Sequence, residues 1–102
     1  MIPSSPRERA SLRRSAGRRP MHPGAFLETR FLRPLKLSQQ DLADAIGVSR
    51  RRINEIVNGR RGVTADTALR LGLYFKTEPE MWLRMQVAFD MHNARQLLMK
   101  SS

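Results

Sequence analysis

The chain has 102 residues, of which 40% are hydrophobic and 6% aromatic, and it contains no cysteine. That length supports one compact domain with a modest core and excludes a two-domain enzyme; the missing cysteines exclude disulfides, thiolate zinc sites and cysteine nucleophiles. Nineteen Lys and Arg against nine Asp and Glu leave a formal charge of +10, a surface that attracts phosphate backbones or anionic membranes.

Residues 1–20 read as a disordered basic arm. Arg7, Arg9, Arg13, Arg14, Arg18 and Arg19 face Glu8 alone, among serines and prolines and with almost no large apolar side chain, so the segment cannot bury enough surface to fold. Its Ser/Arg content also resembles a transit peptide, but the prolines oppose the amphipathic helix that such a peptide needs. Met21 is a second possible initiator. No apolar run reaches the roughly 18 residues that cross a bilayer, so a soluble, cytoplasmic protein with no membrane partner is expected.

From Met21 to Ser102 the pattern is helical, without sustained alternation that would call for strands. Pro23 suits the first turn of a helix, and Phe26, Leu27, Arg30 and Phe31 share one face up to about Pro34. Ser38 and Asp41 form a capping-box variant ahead of a second helix, whose stripe of Leu42, Ala43 and Ile46 ends at Gly47. Ser49 caps a third helix from Arg50 to Asn58, with Ile53, Ile56 and Val57 inward and Gly59 as its stop. Thr64 caps a fourth, with Ala65, Ala68, Leu69 and Gly72 on one side and Phe75 near its end. Pro79 opens a longer last helix to about Leu98, capped by either Thr77 or Glu78.

The last helix carries more apolar surface than one facing stripe requires. Trp82, Met85 and Phe89 make one line; Leu83, Val87, Ala94 and Leu98 make another, with Met81 and Met91 as adaptable fillers. One stripe closes the core, and Leu83, Val87, Met91, Ala94 and Leu98 are the candidate interface for a second copy or another protein. A homodimer would set two copies of the third helix about 34 Å apart, the repeat of successive major grooves, and so select a palindromic site in double-stranded DNA.

The second and third helices, joined at Gly47-Val48-Ser49, have the form of a helix-turn-helix. Val48 fills the angle between them, and Ala43 lets them approach. With Ile53, Ile56 and Val57 inward, Arg51, Glu55 and Asn58 occupy the centre of the outer face, Arg52 and Asn54 flank it, and Arg50 projects from the N-terminal end. Arg50, Arg51 and Asn54 are the candidates for base edges, because arginine matches guanine and asparagine matches adenine bidentately in the major groove. Gln39, Ser49, Arg52, Asn58, Arg60 and Arg61 are the candidates for backbone phosphates, which position the protein without reading sequence.

The segment from Leu37 to Gly62 resembles the lambda-repressor or Xre type of helix-turn-helix. With His22-Pro23-Gly24, Arg52-Ile53-Asn54-Glu55-Ile56, the run from Gly62 to Leu71, and Pro79-Glu80-Met81-Trp82-Leu83, the chain is similar to HigA-type antitoxins. The resemblance covers about Pro20 to Phe89. It implies an all-α, five-helix lambda-repressor-like domain with a longer C-terminal helix. It also implies neutralisation of a HigB-type ribosome-dependent mRNA endonuclease, and repression of the protein's own operon as a homodimer. Ala25, where the family often has an acidic residue, and the long basic tail depart from the pattern. A free-standing regulator without a toxin, and an interaction module that no longer reads DNA, are the competing readings.

Catalysis is not expected. His22 and His92 lie on separate elements, without metal-ligand spacing or a glycine-rich phosphate loop. His22 fits the start of the first helix and His92 a partly exposed face; no metal or cofactor is expected.

Overall fold

A computed structural model describes residues 19–101. The basic arm expected over 1–20 therefore lies, apart from Arg19 and Pro20, outside the described residues. Among the described residues there are five helices and no strands, the all-α fold that the periodicity requires.

Helix α1 runs over residues 23–35 in three parts: an α-helical stretch Pro23–Leu27, a π-helical turn Glu28–Leu32, and an α-helical end Arg33–Leu35. His22 caps it, its Nδ1 accepting the Gly24 N–H at 2.9 Å, and Pro23 takes the first position, where no N–H is needed. The expected stop near Pro34 is passed by one residue. The π turn accounts for this: it widens the helix before Pro34, whose ring would otherwise meet the carbonyl four residues back. It also explains how Leu27 and Leu32 are both buried, at 0% and 2% exposure. Five residues of regular α-helix would turn the second away by roughly 140°. Arg30, expected on the apolar face, is exposed, and its guanidinium sits 5.9 Å from the centre of the Phe26 ring.

Helix α2, Gln39–Ile46, begins with a reciprocal capping box. Ser38 Oγ accepts the Asp41 N–H at 2.9 Å, and the Asp41 carboxylate accepts the Ser38 N–H at 3.1 Å. The backbone N–H of Ser38, and then its hydroxyl, hold the Asp41 carboxyl below its ordinary value of 3.8. Leu42, Ala43 and Ile46 are buried, and Gly47 closes the helix at φ 75°, a left-handed conformation suited to glycine. Helix α3, Arg50–Val57, starts at Ser49, whose hydroxyl accepts the Arg52 N–H at 3.1 Å, and buries Ile53 and Ile56.

Helix α4, Ala65–Phe75, is capped by Thr64, but its inward face differs from the expected one. Thr67, Ala68, Leu71 and Gly72 are buried, while Ala65 and Leu69 are exposed. This rotation puts the large Leu71 side chain fully inside, and Thr67 is buried with its hydroxyl 3.5 Å from the Thr64 hydroxyl. Helix α5, Pro79–Ser101, starts at the proline. At its start the Thr77 hydroxyl accepts from Trp82 Nε1 at 2.8 Å, and the Glu78 carbonyl takes the Met81 N–H at 3.0 Å.

The chain divides into two compact units, and the core belongs to the one spanning Met21–Gln86. Its centre is Trp82, fully buried, with Phe26 and Phe31 at ring-centre distances of 5.7 and 5.6 Å, and Phe75 stacked 4.4 Å from Phe31. Leu27, Leu42, Ile53, Ile56, Ala68 and Leu71 complete it at 0% exposure. The Gln86 side chain ties down the loop before α4 by accepting the Val63 N–H at 2.9 Å.

The other unit holds, among the described residues, 19–20 and 87–101. His92, expected on a partly exposed face, is buried there to 9% exposure, and its Nδ1 has no hydrogen-bond partner. The reason is helical phase: His92 stands at the next i+3 position of the Trp82, Met85 and Phe89 line.

Gly24 fixes how α1 meets α3. A Cβ there would collide with the Ile56 carbonyl and lie 3.0 Å from the Val57 Cα, and neither backbone atom can move without displacing α3. Gly24→Ala is therefore expected to cost about 1–3 kcal/mol, the usual penalty of overpacking. Gly62→Ala should cost less, because the Cβ would meet only the Gln86 side-chain end at 3.1 Å. Denaturant melts of the two variants check the order.

Candidate nucleic-acid interface

Helices α2 and α3 cross with Ala43 at 0% exposure between them, and Val48 is half-buried in the turn. Gly47 and Val48 both donate to the Ala43 carbonyl, at 2.9 and 3.1 Å, so the turn is closed by backbone hydrogen bonds as well as by packing. Once Ile53, Ile56 and Val57 face the core, the remaining side chains of α3 form one polar outer face.

On that face the arginines divide into paired and unpaired groups. Arg50 and Arg60 are exposed and make no ion pair among the described residues. The Arg51 side chain is 87% exposed, with only a loose 3.7 Å approach to Glu55. Arg61 is held more firmly, its Nη2 at 3.0 Å and its Nε at 3.1 Å from Glu55 Oε1. The Glu55 carbonyl also takes the N–H groups of Arg60 and Arg61, at 2.8 and 3.2 Å. Glu55 thus folds the loop after α3 back against the helix and presents both arginines beside it.

Asn54 and Gln39 are brought together: the Asn54 amide donates to Gln39 Oε1 at 3.1 Å. Their remaining polar ends, the Asn54 carbonyl oxygen and the Gln39 amide, are complementary donor and acceptor groups on a shared edge between α2 and α3. Ser49 and Asn58 sit at opposite ends of α3. Ser49 caps the N-terminus, where the helix has partial positive charge, and Asn58 Nδ2 donates to the Asn54 backbone carbonyl at 2.9 Å.

Arg52 stands apart from its expected role. Its side chain is only 36% exposed, and its Nη1 lies 3.3 Å from the Asp66 carboxylate on α4, so one of its donors is engaged within the protein. Asp66 also takes Arg70 Nε at 3.0 Å, and Arg70 Nη1 reaches the carbonyls of Ile46 and Gly47, at 2.9 and 3.5 Å. Sequence reasoning missed Asp66 and Arg70. Their i, i+4 spacing in the first turns of α4 was the one available signal; the reach to Arg52 and to the end of α2 depends on how three helices pack.

The candidate interface residues of α5 also divide. Val87, Met91 and Ala94 are exposed and Leu98 is half-buried, whereas Leu83 packs against the core of its own unit. Among the described residues no helix is long and apolar enough to cross a membrane, and no group of three or more His, Asp or Glu side chains could hold a metal ion.

Comparison with known proteins agrees with this geometry. The helix-turn-helix family matches residues 30–82. The virulence-associated protein I of Dichelobacter nodosus is 51% identical over 76 residues, covering 74% of this chain and 70% of that protein. Antitoxin HigA-1 of Vibrio cholerae is 37% identical over 83 residues, covering 80% of this chain and 77% of that protein. Among solved structures, the Pseudomonas aeruginosa antitoxin HigA with higBA promoter superposes with a TM-score of 0.77 at 38% identity, over 81% of this chain and 90% of that one.

Proposed function

The chain belongs to the helix-turn-helix family and to its HigA-type antitoxins, and from that premise we propose that it is an antitoxin and operator-binding autorepressor. The observation that carries the DNA-binding half is the outer face of α3 and the loop after it, with Arg50, Arg51 and Arg60 exposed and without close carboxylate partners, in a chain whose net charge is +10. A related antitoxin of the same fold has been solved with its promoter. In this reading α3 enters the major groove N-terminus first, so Arg50 and Arg51 meet guanine edges and Asn54, oriented by Gln39, meets an adenine. Ser49, Gln39, Asn58, Arg60 and Arg61 take phosphates. Arg52 contributes charge, and its guanidinium serves the link to Asp66 first.

Repression is carried out by a homodimer. Val87, Met91 and Ala94, spaced along one exposed line of α5, and the half-buried Leu98 supply the apolar strip that a second copy covers. Two recognition helices related by a two-fold axis then read a palindromic operator. The partner neutralised is a HigB-type mRNA endonuclease, so nuclease chemistry resides in the toxin and this chain performs no catalysis.

Four measurements test this reading. Arg51→Ala should weaken binding to the duplex upstream of the gene by roughly 1–3 kcal/mol, about 5- to 150-fold, with little effect on a scrambled duplex. Arg60→Ala should weaken both alike and flatten the salt dependence by about one unit of slope; equal binding to both duplexes by the wild type would defeat the sequence-reading claim. Met91→Glu should shift the protein from dimer to monomer in sedimentation at micromolar concentration. Expression of the adjacent toxin gene alone should arrest growth and co-expression of this chain should restore it; arrest without rescue would leave a repressor that is not an antitoxin.

A further inference from the structure

One carboxylate joins three helices around the helix-turn-helix. Arg52 from the first turns of α3 and Arg70 from α4 converge on the same Asp66 oxygen, at 3.3 and 3.0 Å. Arg70 then carries the connection to α2, donating through Nη1 to the Ile46 carbonyl at 2.9 Å and lying 3.5 Å from that of Gly47. These carbonyls belong to the end of α2, where the helix leaves its last acceptors without intrahelical partners and a cation is favoured. The absence of a side chain at Gly47 makes room for the guanidinium: a Cβ there would stand 3.2 Å from Arg70 Nη1. The path therefore runs from the start of the recognition helix, through α4, to the turn that sets the angle between α2 and α3.

We propose that Asp66 is a positioning residue for operator recognition: without touching DNA, it fixes the recognition helix relative to α2 and so contributes to discrimination between operator and other sequences. This rests on the operator-binding reading above. Its weight is geometric rather than energetic. The three side chains are 36–57% exposed, and ion pairs so accessible to solvent contribute little to folding stability. A planar guanidinium with two acceptors in different elements nevertheless fixes direction as well as distance.

Charge and positioning make opposite predictions. Asp66 is a negative charge beside a phosphate-binding face, so if only its charge matters, Asp66→Asn should tighten binding to every duplex, most at low salt. If it positions α3, Asp66→Asn should leave binding to a scrambled duplex unchanged or tighter while operator binding weakens, lowering the operator-to-scrambled ratio about tenfold. Asp66→Glu, which keeps the carboxylate, should recover part of that ratio. An unchanged or increased ratio in Asp66→Asn would overturn the proposal.

Hydrogen exchange on the DNA-free protein gives a second readout that does not depend on the operator. The Gly47 and Val48 amides, both bonded to the Ala43 carbonyl, should exchange several-fold faster in Asp66→Asn and in Arg70→Met. The double variant should be no faster than the quicker single one, because both remove the same link. Unchanged exchange in Asp66→Asn would refute the coupling, even if the wild type proved not to discriminate its operator. That last result alone would count against the operator reading, and the exchange rates would still decide the coupling.

Discussion

Bare backbone at Gly24 against the carbonyl of Ile56 is the contact on which the arrangement of this domain depends. His22 caps α1 through the Gly24 N–H, Pro23 fixes the first helical φ, and the missing side chain of Gly24 lets α1 sit directly on the backbone near the C-terminal end of α3. From that seat Leu27 points into the core between α1 and α3. The aromatic cluster of Phe26, Phe31, Phe75 and Trp82 then closes over it. The recognition helix is thus held from behind by a close backbone approach that no other residue type permits, and its outer face stays polar and largely exposed.

That freedom explains the division among the arginines. Side chains with carboxylate partners near α3 do architectural work: Arg61 bends the following loop onto Glu55, and Arg52 and Arg70 meet at Asp66. Those without a close partner, Arg50, Arg51 and Arg60, keep their guanidinium groups exposed beside α3. A cluster that is simply basic in composition is therefore sorted by structure into charge paired within the protein and charge left exposed.

The same economy holds along α5. Its first turns complete the core through Trp82, whose indole N–H is satisfied by Thr77, and through Gln86, which anchors the loop at Val63. Farther along, Val87, Met91 and Ala94 face outward. This apolar strip is the part of α5 that the proposed second copy would cover.

By itself the sequence determined the helices, the caps of α2, α3 and α4 and the helix-turn-helix, because these depend on local chemistry. Ser38 with Asp41, Ser49, Thr64 and Gly47 terminate helices through bonds to backbone only a few residues away. The buried stripes of α2 and α3 were legible for a similar reason: strongly apolar residues at helical spacing leave one choice of face. Where the competing residues were small or amphipathic, the face was decided by neighbours. Helix α4 turned Thr67 and Leu71 inward rather than Ala65 and Leu69; α1 needed a π turn to bury both Leu27 and Leu32; and His92 followed the phase of Phe89 into a buried position. Tertiary structure alone decided the partners of Arg52. Asp66 is fourteen residues away in the chain, and an ion pair across that distance exists only after packing has brought α3 and α4 side by side.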